Sequence, residues 1–152
     1  MYELILTAHS WLRWLALAAG LAATLALATA GPVAAGPPRA ARWGLIFVTA
    51  LDLQLVTGLA LYVALSPNTA AMFSDFGAAM RDPVARFWAV EHISLMLFAV
   101  VMAHLGRVLA RKAAAPAAAR KRLLVCFALS TAAMILATPW PGMSSGRPLF
   151  RV

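Results

Sequence analysis

Long apolar runs separated by short polar breaks set the pattern of this chain. Four runs stand out: Leu4–Ala30, Trp43–Leu65, Arg86–Ala110 and Arg122–Thr138. Each predicts a helix of bilayer-crossing length, at about 20 residues per crossing. Two breaks are rich in small residues and proline: Gly31–Arg42 (GPVAAGPPRAAR) and Ala113–Ala119, which contains Pro116. The third break, Ser66–Ala85, is the longest, and its stretch Met72–Met80 predicts a short helix lying on the membrane surface. Beyond Thr138 the tail PWPGMSSGRPLFRV ends the last helix through Pro139, Pro141 and Gly142. The expected architecture is all-α, a four-helix transmembrane bundle that makes residues 1–152 a single integral membrane domain.

Composition supports this reading. The chain is 63% hydrophobic and 12% charged, which is bilayer composition and not that of a soluble core. Its formal charge of +8 reflects 13 Lys and Arg against 5 Asp and Glu, and the basic residues are shared unequally between the two sides. Arg39, Arg42, Arg107, Arg111, Lys112, Arg120, Lys121 and Arg122 flank one set of helix ends, while Arg13, Arg81, Arg86, Arg147 and Arg151 flank the other. The positive-inside bias assigns the richer side to the cytoplasm and places both termini on the outer, periplasmic side. Trp11, Trp14, Trp88 and Trp140 then fall near the outer interface and Trp43 near the inner one, as an aromatic belt does. No aromatic-interleaved basic patch suggests nucleic acid as a partner. A cleavable signal peptide is not expected, because Arg13 comes after the first apolar run has begun.

Most soluble-enzyme chemistry has no foothold. Cys126 is alone, and no CxxCH, CxxC, HExxH, P-loop or GxGxxG occurs. The histidines remain. From a helix start near Leu4, His9 lies roughly 8 Å along its helix; from a start near Arg86, His92 lies roughly 9 Å along its own. An imidazole in hydrocarbon is costly, so intramembrane histidines point to function. Two at one depth on different helices are placed to clamp a flat metal-bearing ligand, and haem b is the candidate. Arg13, four residues after His9, shares its face and could grip a propionate, although snorkelling to the interface competes with that role. Arg86 and Arg147 are the further propionate candidates, and Trp88, one turn before His92, could pack on the ligand. Glu91 points to another face, toward an outer arginine. The competing reading has each histidine bonded to a neighbouring helix and holding the bundle together.

His104 lies twelve residues beyond His92, roughly 18 Å deeper. It is the candidate metal ligand for a second haem, with Met102 or Met134 as conceivable partners, but a polar contact to Asp52 or Gln54 explains it more simply. Asp52 lies well inside its own apolar run and must be paired or protonated there. With His104 it could be structural glue, part of a proton path or a partial metal site.

The motifs AHSWLRW, LQLVTGLALY, FWAVEH, AHLGR and PWP together resemble the small four-helix bacterial membrane proteins called cytochrome b, and more loosely the cytochrome b561 type. The resemblance spans nearly the whole chain on short motifs. It implies a multi-pass protein of the bacterial inner membrane, with His9 and His92 as haem ligands. Di-haem members of the wider class use four histidines and this chain has three, which speaks against a second bis-histidine haem.

The resulting expectation is an electron carrier with a haem between the first and third helices near the outer face, fed by a quinol or a redox partner. Electron transfer alone needs no catalytic acid or base. The alternative is an accessory transmembrane subunit of a larger respiratory or photosynthetic complex, without its own cofactor. A third reading, a copper or other metal handler using the histidines with Met72, Met80 and Met143, ranks last because those methionines form no recognisable cluster.

Overall fold

The computed structural model describes residues 1–31 and 38–150, with only the backbone of Pro38. The middle of the Pro/Gly-rich break Gly31–Arg42, and Arg151 among the basic residues, lie outside the described residues. The described chain is helical and contains no strand.

Helix α1 spans Tyr2–Ala28. Helix α2 spans Pro38–Ala60 and continues through a π-helical turn, Leu61–Leu65. Three short helices follow: α3 (Pro67–Ser74), α4 (Phe76–Arg81) and α5 (Pro83–Arg86). A second π-helical turn, Phe87–Glu91, leads into α6 (His92–Arg111), and α7 spans Pro116–Ala137.

Local chemistry explains the breaks. The Ser66 hydroxyl accepts from the Thr69 amide, the Asp75 carboxylate from Ala78 and the Asp82 carboxylate from Ala85, so each side chain caps a new helix start. Pro67, Pro83 and Pro116 stand at the first helical position, where a missing N–H costs nothing. The single surface helix expected over Met72–Met80 is therefore two helices, divided at Asp75. The same proline rule sets helix starts upstream of the last two apolar runs, at Pro83 and Pro116.

Three helical stretches are long and apolar enough to cross a membrane: Tyr2–Ala28, Arg39–Leu65 and Pro83–Arg111. The fourth run expected to span is different. Helix α7 carries Arg120, Lys121 and Arg122 near its start, which leaves Leu123–Ala137 as its apolar length. At 1.5 Å per residue that is about 22 Å, short of the roughly 30 Å hydrocarbon core.

The long helices pack antiparallel. Helix α1 lies against α2 and α7, and α6 lies against α7 and, less extensively, α2. One polar contact fixes each seam: His9 to Gln54 for α1 and α2, Asp52 to His104 for α2 and α6, His92 to Ala137 for α6 and α7, and Arg120 to Leu27 for α7 and α1. Between the seams, Leu27, Phe47, Leu51, Phe127 and Met134 are buried, with the Phe47 and Phe127 rings edge to face at 5.4 Å. The Ser130 hydroxyl donates to the Ala99 carbonyl at 2.7 Å, joining α7 to α6 inside this core.

Candidate functional site

Both histidines reach the same cavity. Antiparallel packing sets the first turns of α1 beside the last turns of α2, and the start of α6 beside the end of α7. The His9 and His92 rings face each other across this end with centroids 6.5 Å apart and planes at 66°. They help to line a cavity of about 520 Å³, within the range of small-molecule sites. Arg13, Trp88 and Arg147 also line it. Arg86 does not: its Nε donates to Glu91 Oε1 at 2.7 Å on the exposed surface, so it is a partner of Glu91 and not part of the cavity wall.

Hydrogen bonding decides the state of each ring. The Thr57 hydroxyl donates to the carbonyl of Leu53 at 2.8 Å, so its oxygen is left to accept from His9 Nδ1–H at 3.0 Å. His9 Nε2 then keeps its lone pair and accepts from the Gln54 side-chain amide at 3.1 Å. His92 Nδ1–H donates to the Ala137 carbonyl at 2.8 Å, which leaves its Nε2 lone pair uncommitted. Both rings therefore hold the same neutral tautomer, proton on Nδ1 and lone pair on Nε2, each fixed by a bond behind it.

Gly58 is what lets His9 come so near α2. A Cβ on Gly58 would stand 3.0 Å from His9 Cε1. Around His92 the neighbours are aromatic, with Trp88 at 5.4 Å and Phe87 at 5.9 Å between centroids. The Arg147 guanidinium carbon stands 5.2 Å over the Trp88 ring, a cation–π contact. Among the described residues, buried Trp88 Nε1–H finds no acceptor and buried Gln54 Oε1 no donor.

The C-terminal segment closes this end. Arg13 Nη2 and Trp14 Nε1 both donate to the Leu149 carbonyl at 2.9 Å, and Phe150 packs on Trp11 and Trp14. Arg13 thus combines a place on the cavity wall with a grip on the C-terminal strap. The two π-helical turns meet at the same level, where the Tyr62 hydroxyl donates to the Ala89 carbonyl. Such turns recur at functional sites because they re-aim side chains.

No family model, curated protein or solved structure matches the chain.

The remaining histidine stands apart. His104 Nε2 lies 2.8 Å from Asp52 Oδ1, and about half of each side chain is exposed. His104 is not on the cavity wall, and Gln54, its other expected partner, bonds to His9 instead. Among the described residues no group of three or more His, Cys, Asp or Glu comes together to hold a metal ion. The arrangement instead offers two imidazoles, edge to face beside a cavity, of which His9 Nε2 is engaged by Gln54 and His92 Nε2 makes no hydrogen bond among the described residues.

Sequence reasoning missed Gln54, Thr57, Gly58 and the Ala137 carbonyl. The first three were legible in part: spaced i, i+3 and i+4, they share one face of α2. That this face meets His9 depended on the packing of α1 on α2. A backbone carbonyl left without an intrahelical donor at a helix end carries no residue signature at all.

Proposed function

We propose that this chain is a membrane b-type cytochrome in which His9 and His92 would hold one haem through their imidazoles. The observation that carries the proposal is that His9 and His92 line one cavity with each Nδ1 anchored behind the ring, His9 Nδ1 at 3.0 Å from Thr57 Oγ1 and His92 Nδ1 at 2.8 Å from the Ala137 carbonyl. Spacing agrees. Two imidazoles bound through nitrogen at about 2.0–2.1 Å to one metal stand roughly 6 Å apart between centroids, against 6.5 Å here. The cavity of about 520 Å³ gives room for a macrocycle, and the uncommitted Trp88 Nε1–H, with Arg13 and Arg147, suits its carboxylates.

When bound, the haem supplies a one-electron couple. The residues do the rest: His9 and His92 orient it, the apolar walls exclude water, and the arginines set the local charge that tunes its potential. In this reading α1, α2 and α6 cross the bacterial inner membrane and the shorter α7 packs against α1 and α6 to complete a four-helix bundle, with both termini outward and the cavity near the outer face. A quinol or a protein partner delivers the electron.

The test is the reduced-minus-oxidised spectrum of detergent-purified protein, with a pyridine haemochrome assay for content. The expected result is one haem b per chain, with a low-spin α-band lost in His9→Ala and in His92→Ala and kept in His104→Ala. Colourless protein from haem-replete cells would sink the proposal.

A second reading has its own observation. Each histidine already bonds a neighbouring helix, His9 to α2 and His92 to α7, as interhelical fasteners do. An accessory subunit without its own cofactor, placed in a larger membrane complex, accounts for those bonds, and the colourless outcome selects it.

A further inference from the structure

The two histidines share a tautomer, but their lone pairs are not equally available. His92 Nε2 makes no hydrogen bond among the described residues, and the Ala137 carbonyl fixes the ring from behind. His9 Nε2 is already engaged by the Gln54 amide at 3.1 Å. The ring is further held to α2 by Thr57 and by close contact with Gly58. Gln54 itself is only 3% exposed, and its Oε1 has no donor. A metal between the rings must compete with Gln54 for one lone pair and with nothing for the other.

Resting on the cytochrome reading above, we infer that His92 is the permanent axial ligand and His9 an exchangeable one. The reduced site then binds a small neutral diatomic molecule on its His9 side. Gln54 has two roles in this exchange. It holds the displaced His9, and its amide gives that side of the cavity a hydrogen-bond donor, the feature of a distal pocket that governs diatomic binding. The exchange is balanced. The bond from His9 Nε2 to the metal breaks, one from the diatomic's donor atom forms, and the released lone pair returns to the Gln54 amide. Nothing is oxidised or reduced.

Carbon monoxide is the probe. The haem-loaded full chain in detergent is reduced with dithionite and titrated with the gas while the Soret and α-bands are followed. Haem content is measured separately by pyridine haemochrome. Wild type is expected to shift to a carbon monoxide spectrum over the whole haem population. Gln54→Leu leaves His9 to the metal, so it binds the gas about tenfold more weakly. His9→Ala loses the low-spin α-band but keeps its haem and binds the gas more tightly than wild type, whereas His92→Ala loses the haem. Wild-type protein with one haem per chain and a spectrum indifferent to saturating gas would overturn the inference and leave the cytochrome reading standing. An unchanged affinity in folded, haem-replete Gln54→Leu would also overturn it. Protein without haem would overturn the cytochrome reading, and this inference with it.

Discussion

The two ends of the long helices are built differently. Toward the basic end, Leu27, Phe47, Leu51 and Phe127 are almost fully buried, and the pocket there, lined mainly by apolar side chains with Arg107 and Arg111, is only about 240 Å³. Toward the histidine end the same helices leave a cavity of about 520 Å³ with imidazole, amide and indole groups in its wall. One residue type serves both ends in opposite ways. At Gly20 a Cβ would meet Phe47 Cε2 and Thr131 Oγ1 at 2.7 Å, so the missing methyl lets α1, α2 and α7 close on one another. At Gly58 it would meet His9 at 3.0 Å, so the missing methyl admits a polar ring. Membrane helices associate through close packing and polar contacts and not through a hydrophobic drive. One end is therefore the more tightly packed, and the other is open with polar groups in its wall.

Substitutions can break or sharpen that contrast. The largest effect is expected at the packed end. Phe127→Ala should cost about 3–5 kcal/mol, seen as a clear fall in the thermal unfolding midpoint in detergent, while Leu6→Ala on the cavity wall costs far less. Equal losses would erase the distinction between the ends. Next come the paired glycines. Gly20→Ala overpacks a full core and should cost about 1–3 kcal/mol. Gly58→Ala, by contrast, should spare the unfolding midpoint and the haem content but weaken the low-spin α-band, because the ring it displaces is His9. Ser130→Ala removes one interhelical bond in the core and should cost about 0.6–1 kcal/mol by the same unfolding assay. The smallest effect is expected at the half-exposed pair. Asp52→Asn and His104→Ala should each change stability by about 0.6 kcal/mol or less and leave haem content untouched. Haem loss in His104→Ala would reassign that histidine to the site.

Much of this was legible along the chain. Apolar runs announced the long helices, and the shared depth of His9 and His92 announced that they would meet, because depth along a helix is set by residue count alone. The pairing of Asp52 with His104 was legible as one of two options for the same reason. Side-to-side neighbours were not. Arg86 was expected at the cavity and went to Glu91, since five residues of helix, part of it π-helical, brought the two together locally. Gln54 was expected near His104 and turned to His9, because the face it occupies on α2 looks toward α1.

What the sequence determined is one-dimensional: where helices start and stop, how far along each one a histidine lies, and which ends carry the positive charge. Proline, capping side chains and apolar length act locally, so they can be read locally. What only the tertiary structure decided is which faces touch. From that come the bonds of Thr57 and Gln54 to His9 and the bond of Ala137 to His92, and with them the way each ring is held beside the cavity. A ring's tautomer is set by the atom behind it, and that atom belongs to another helix.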